Sequence, residues 1–409
     1  MTRVLVVQNL YPPHSYGGYE HSCHDVVDRW RRKGHQVMVL TSDHRVAGVP
    51  DAEPEPDVLR RLPAALGPGG VLAPPPPWRR LMRERDSLRV LADTIDRVRP
   101  DVVSLWHMAG LSSALLADLV RRRLPLVYVI CDDWLTYSQR TDPWLRMFAT
   151  RPRLGRLAGR LTGVPTQPTA LGATGTFCFA SDTTRRRAVE HTGWAFPSSV
   201  VIHLGVDTDD FPLSPPPPDR PQWRGRLLYV GRLDARKGVE TAIAAVARTA
   251  TATLDLVGPG DPATLRRLRD QVDDADADRR VTFVGAVPRA ELRARYAAAD
   301  AVLFPTEWDE PFGIVPLEAM ACATPVIATG TGGSGEFLVD GENSVLFEAG
   351  DAAALARAID ALGHDEQLRN RVVSGGLRTA STLTVDALAE GLEAQHVAAA
   401  EGVHGVQPR

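Results

Sequence analysis

Two charged pairs carry most of the chemistry this sequence offers. The acidic pair, Glu310 and Glu318, lies eight positions apart in FPTEWDEPFGIVPLEAMA (304–321). This segment opens as an apolar strand, crosses an acidic loop and turns into a helix at about Ile314–Glu318, with Glu310 in the loop and Glu318 in the first helical turn. Pro316 suits that turn, where its missing N–H has no intrahelical partner to lose. The N–H groups of Gly313, Ile314 and Val315 stand at the helix start, where amides lack intrahelical acceptors and the macrodipole favours an anion. A carboxylate is a poor partner for phosphate but a good acceptor for vicinal hydroxyls. One segment therefore offers amides for a phosphate and an acceptor on either side for a polyol, the layout of hexose, diphosphate and ribose in a nucleotide sugar. The dipole alone also favours a Glu in a first turn.

The basic pair, Arg232 and Lys237, belongs to LLYVGRLDARKGVETAI (227–243), where a strand ends at Gly231 and a loop runs into a helix. Arg presents a planar fork matched to phosphate oxygens and Lys a compact charge. Beside a departing nucleoside diphosphate, two such cations stabilise the negative charge that grows as the glycosidic bond breaks. A salt-bridged surface loop is the plainer alternative.

Three further stretches end strands in the first half of the chain. In YPPHSYGGYEHS (11–22), Gly17 and Gly18 precede a helix from about Glu20, and paired glycines let a backbone approach an anion or simply flex. In DVVSLWHMAG (101–110), His107 opens a loop, as a cleft residue or a packed histidine. In VYVICDDWLTYSQ (127–139), Asp132 and Asp133 stand at a strand end, to accept from an acceptor hydroxyl or to cap a helix. Adjacent carboxylates lack the D-x-D spacing of a metal-dependent transferase, and no metal or cofactor is expected. Arginines at 146, 151, 153, 156 and 160 form either a solvated basic face or a weak contact with anionic lipid or an acidic acceptor.

The elements that must position these residues alternate. Continuous apolar runs at 4–10, 36–42, 102–106, 126–130, 176–181 and 200–206 form one series. Runs at 226–232, 253–258, 281–286, 301–306, 325–330 and 344–349 form another, with helical patterns between them. Runs without alternation fit strands buried on both faces of parallel sheets, so the class is α/β with two doubly wound domains. The proline-rich stretch 211–223 separates an N-terminal domain (1–210) from a C-terminal one (224–385). A last helix over 386–402 is expected to pack back on the first domain, before a disordered tail, 403–409. Residues 44–80, rich in Pro, Gly and Ala, read as an irregular surface excursion.

With 409 residues, a net charge of −3 and a pI near 6.4, the chain gives no reason to expect nucleic-acid binding. No apolar run is long enough to span a bilayer, and the start reads as a strand, not a secretory signal. The expected location is cytoplasmic, at most peripheral to the inner face of the membrane. Cys23, Cys131, Cys178 and Cys322 show no C-x-x-C spacing and read as buried reduced thiols.

The E-x7-E string, with Pro-Phe-Gly after its first Glu and Ala-Met-Ala after its second, resembles the retaining glycosyltransferases of family 4. G-R-x4-K-G at 231–238 and TGGSGEFLVDGENSVLF (331–347) are similar to that family in order and context. The resemblance implies a GT-B fold, two Rossmann-like domains facing across an interdomain cleft. It implies Glu310 on the donor sugar and Glu318 on the ribose. Arg232, Lys237, Gly17, Gly18 and the amides beside Phe312, at Gly313, Ile314 and Val315, would hold the diphosphate, and backbone near Val287 would meet the base. Trp106 stands where the family usually has the second His of H-x-H, so His107 comes one position late, and Cys131 replaces a usual His before Asp132. The implied reaction moves a sugar from a nucleoside-diphosphate sugar to a hydroxyl of a glycan, lipid or small natural product, with anomeric retention. A nucleotide-sugar epimerase of similar fold and a donor-binding protein without catalysis are the rival readings.

Overall fold

A computed structural model of the chain describes all residues except 52, 54, 215–221, 276, 278 and 403–409. The middle of the expected connector and the expected tail thus lie outside the described residues. The chain divides into two compact units, one from Met1 to His203 joined by the stretch from Leu388 onward, the other Leu204–Ala387.

The first unit contains β1 (Arg3–Val7), α1 (Gly18–Arg32), β2 (Gln36–Ser42), β3 (Val58–Leu62), α2 (Pro77–Val98), β4 (Val102–Leu105) and α3 (Ala114–Arg122). It continues through β5 (Leu126–Ile130), α4 (Trp134–Thr141), α5 (Pro143–Phe148), α6 (Pro152–Thr162), β6 (Thr176–Phe179), α7 (Asp182–Thr192) and β7 (Ser199–Val201). Its strands form a parallel sheet in the order β3-β2-β1-β4-β5-β6-β7. Leu5, Val7, Val103, Leu105, Tyr128 and Phe177 are buried in one core with Leu115, Leu119 and Trp134 from the helices.

The irregular excursion expected over 44–80 is corrected by β3. VLRRL pairs only with β2, at the sheet edge, and Arg60 and Arg61 interrupt the apolar run by which interior strands are recognised. Arg60 is fixed there by donating to the Tyr11 and Pro12 carbonyls.

The second unit contains β8 (Arg226–Val230), α8 (Val239–Arg248), β9 (Thr253–Val257), α9 (Pro262–Asp274), β10 (Val281–Gly285), α10 (Arg289–Ala298), β11 (Ala301–Phe304) and α11 (Ile314–Ala321). It continues through β12 (Val326–Ala328), β13 (Val345–Leu346), α12 (Ala352–His364) and α13 (Glu366–Thr382). The parallel order β10-β9-β8-β11-β12-β13 repeats the arrangement of the first sheet. Its core joins Leu227, Leu254, Leu256 and Leu303 to Val239, Ile243, Leu355 and Ile359.

The last helix, α14 (Val385–Ala400), is anchored by side chains of the first unit: Trp30 Nε1 donates to the Ala389 carbonyl at 3.0 Å and Lys33 meets Glu393 at 2.8 Å. All four cysteines are buried and free. Strand order reverses between β1 and β4 in one sheet and between β8 and β11 in the other. In doubly wound sheets, ligands gather outside the carboxyl ends of the strands at such points.

Candidate functional site

Every charged residue singled out in the second half lies beyond the β8 or β11 carboxyl end. After β8 the chain passes Gly231 and the exposed Arg232, then makes a 3-10 turn over Ala235–Lys237. Asp234 caps this turn, accepting the Arg236 N–H at 3.0 Å. Its carboxyl is held below the ordinary Asp range, first by the hydrogen bond to the Arg236 guanidinium. The loop's own anion is thus matched by Arg236, and the Arg232 guanidinium bonds to no described residue.

Gly238 follows with φ 67°, and a Cβ there would lie 1.9 Å from the Pro305 carbonyl oxygen just past β11. That approach brings Lys237 to the acidic loop. Its Nζ stands 2.5 Å from Glu310 Oε2, which also accepts the Trp308 indole N–H at 2.9 Å. The Trp308 ring lies beneath two cations, 4.9 Å from Arg236 Cζ and 5.4 Å from Lys237 Nζ. The backbone of Glu310 is held from the far side: Gly333 N–H donates to its carbonyl at 2.6 Å. Gly332, at φ 62°, packs so close that a Cβ would fall 2.5 Å from Glu310 N and O.

Helix α11 starts at Ile314 from an N-cap Gly313 with φ 93° and no side-chain cap. Phe312 is buried against Phe337, centroids 4.9 Å apart. Glu318 is not in the first turn, as expected, but is the fifth helical residue, because a turn spans about 3.6 residues. It is 3% exposed; Tyr296 Oη donates to it at 2.7 Å, and Arg289 Nη1 stands 3.6 Å away. Burial, then the Glu318 charge, raises the Tyr296 phenol well above its ordinary value, so it stays a donor. Val287 is half-buried in the loop between β10 and α10.

In the first unit, β4 runs into Trp106, which is fully buried with its indole N–H on Ser104 Oγ at 3.0 Å. The residue in the usual histidine position is therefore core, and His107 carries the polar contacts. Its Nε2 lies 2.8 Å from Tyr137 Oη and 3.4 Å from Asp132 Oδ2. Tyr137 Oη donates to the same Asp132 oxygen at 2.8 Å, so it accepts from His107 Nε2–H. That arrangement leaves Nδ1, buried without a hydrogen-bond partner and 3.8 Å from Glu20 Oε1, to take up a proton.

Burial pushes the His107 pKa down, but Asp132 and then Glu20 more than offset it, and the net direction is upward. The imidazole stacks on Tyr19, centroids 5.2 Å apart. Asp132 Oδ1 accepts the N–H of Trp134, the first residue of α4, at 3.0 Å, so the residue both holds that helix start and joins this cluster. Glu20 Oε2 accepts the Gly17 N–H at 3.0 Å and ties the glycine turn to the same group. Gly17 and Gly18 are exposed. Asp133 instead pairs with Arg187.

Sequence reasoning missed Glu20, Tyr19, Tyr137, Trp308, Arg289 and Tyr296. Only Glu20 carried a local signal, an acid at the third helical position after Gly17, where it can reach back to the cap amide.

Comparison with known proteins bears on the family and the fold. Residues 16–210 match the family described as Glycosyltransferase Family 4, and residues 214–378 match Glycosyl transferases group 1. The chain is 29% identical to a glycogen synthase of Mycobacterium tuberculosis over 427 aligned residues, covering 100% of this chain and 97% of that protein. In structure it is similar to sucrose-phosphate synthase from Thermosynechococcus elongatus, with TM-score 0.71 and 22% identity over 96% of this chain and 98% of that one. It is also similar to HepE of Anabaena, solved with UDP and glucose, with TM-score 0.68 and 20% identity over 96% of this chain and 99% of that one. The chain belongs to the family 4 glycosyltransferases, group 1, with the two Rossmann-like domains of the GT-B fold.

Proposed function

We propose that this glycosyltransferase takes a sugar from a nucleoside-diphosphate donor and passes it, with retention at the anomeric carbon, to a hydroxyl of a glycan, lipid or small natural product. The observation that carries the reading is the charge arrangement beyond β8 and β11: a Lys237–Glu310 pair at 2.5 Å beside an exposed Arg232 that bonds to no described residue. Arg232 and Lys237 take the diphosphate, helped by the amides of Gly313, Ile314 and Val315 at the uncapped α11 start. Glu310 accepts from donor-sugar hydroxyls, Glu318 from the ribose, and the Val287 backbone meets the base. HepE of Anabaena, similar in fold, holds UDP and glucose, which supports a nucleotide-sugar donor.

The bond from the anomeric carbon to the leaving phosphate breaks and the bond to the acceptor oxygen forms on the same face. The acceptor proton passes to a leaving-phosphate oxygen. Arg232 and Lys237 stabilise the growing diphosphate charge. His107 contacts Asp132 and Tyr137 through Nε2 and faces Glu20 through its buried Nδ1, so it ties the loops after β4 and β5 to the start of α1.

The test is to incubate the purified protein with UDP-, GDP-, ADP- and dTDP-sugars, alone and with acceptors, and to follow nucleoside diphosphate and product anomer by NMR. Acceptor-dependent release with the anomer kept is expected. Donor isomerised without any acceptor would make the protein an epimerase, and an inverted product would remove the same-face route. Arg232→Ala should cost about 2–4 kcal/mol in the barrier, roughly 30- to 900-fold in turnover.

A further inference from the structure

Helix α6 presents a surface that sugar transfer does not use. Between Pro143 and Ser181 the chain has no Asp or Glu, yet it carries Arg146, Arg151, Arg153, Arg156 and Arg160. All five are exposed, and no side chain among them bonds to a described residue. Interleaved with them are Leu154, Leu157 and Leu161, exposed to 51%, 54% and 77%, and Met147 at the end of α5.

The inward face of α6 is fixed by its glycines. A Cβ on Gly155 would stand 3.0 Å from Phe148 Cβ and 3.2 Å from Thr166 Oγ1, and one on Gly159 would stand 3.4 Å from the same hydroxyl. At roughly 100° per residue, the three leucines fall on one flank of the opposite half and Arg153, Arg156 and Arg160 on the adjacent flank.

A merely solvated face has no use for three leucines held in water. A nucleic acid or an acidic protein would engage the arginines and leave the leucines wet. An anionic bilayer surface takes both, guanidinium on headgroup phosphate and leucine at the acyl boundary. We propose that α6, with Arg146 and Met147 of α5, docks the protein on an anionic lipid bilayer. It lies in the interface plane; no helix among the described residues is long and apolar enough to cross a membrane.

The experiment is co-sedimentation of the full chain with vesicles of phosphatidylcholine alone and of phosphatidylcholine mixed equally with phosphatidylglycerol. Binding is expected only to the mixed vesicles and should weaken as salt rises. Each arginine replaced in Arg153→Gln, Arg156→Gln and Arg160→Gln should lower the partition coefficient about fivefold. The triple change Leu154→Gln, Leu157→Gln and Leu161→Gln should abolish binding. Unchanged circular dichroism checks that each variant is folded, and Leu161→Gln alone serves if the triple change is not.

No binding to the mixed vesicles, equal binding to pure phosphatidylcholine, or indifference to the leucine changes would overturn the proposal. So would sedimentation showing a wild-type dimer that the leucine changes dissolve, because a second copy would then cover this face. Nucleoside-diphosphate release without vesicles is read separately, so the donor reading stands or falls on its own.

Discussion

Glu310 commits one oxygen to both Lys237 and Trp308, and its other oxygen, Oε1, accepts from no described residue. An oxygen held ready by its twin is suited to a hydroxyl whose position must be fixed. Glu318 is buried, with one oxygen on Tyr296. The two carboxylates should therefore fail differently. Glu318→Ala should weaken binding of the free nucleoside diphosphate about tenfold, consistent with one lost charge-assisted hydrogen bond. Glu310→Ala should leave that affinity nearly intact and lower turnover; titration calorimetry with equal losses in both variants would contradict the division.

Away from this site, Glu84 is fully buried between Arg83 and Ser112. Burial first, then Asp142, raises its pKa from 4.5 to about 7. The folded chain keeps this proton to about pH 7 whereas the unfolded chain releases it near 4.5, so in that window the unfolded state binds fewer protons and stability falls as pH rises. The full shift corresponds to about 3 kcal/mol. Glu84→Gln should remove that part of the decline in denaturant unfolding followed across the window. A decline equal to the wild type's would contradict the assignment.

At the scale of elements, two glycines decide whether the basic and acidic loops can meet. Gly238 lets the turn after β8 touch the Pro305 carbonyl, and Gly332 lets the loop after β12 close on the Glu310 backbone. Gly238→Ala must move one strand end away from the other, at a cost of more than about 2 kcal/mol, and should separate Lys237 from Glu310. Wild-type melting and turnover in that variant would show that the close approach is dispensable.

The strands and loops bearing these residues were legible in sequence, because interior parallel strands are unbroken apolar runs and their carboxyl ends lead into Gly-, Arg- or Glu-bearing loops. Edge strand β3 was not, since Arg60 and Arg61 give it a mixed face. Nor was the His107 cluster: Glu20 and Tyr137 reach it from elements far apart in the chain, and no local pattern encodes such contacts. The shift of Trp106 into the core is visible only once β4 is seen to end at Leu105.

At the scale of the molecule, both sheets use the same strand order, and both gather polar groups where that order reverses. A ligand that binds the folded chain must also stabilise it. A nucleoside diphosphate at 100 times its dissociation constant should add about 2.7 kcal/mol, enough to rank UDP, GDP, ADP and dTDP by thermal shift. A panel with no shift at all would leave the charged loops without a ligand.

The most direct measurement is calorimetric titration of the top-ranked nucleoside diphosphate into wild-type protein and into Arg232→Ala. Removing a guanidinium that grips the diphosphate should weaken binding at least tenfold, roughly the worth of one charge-assisted contact. Equal affinity in the two proteins would mean that the loop after β8 does not hold the leaving group, and the proposed donor site would lose its centre.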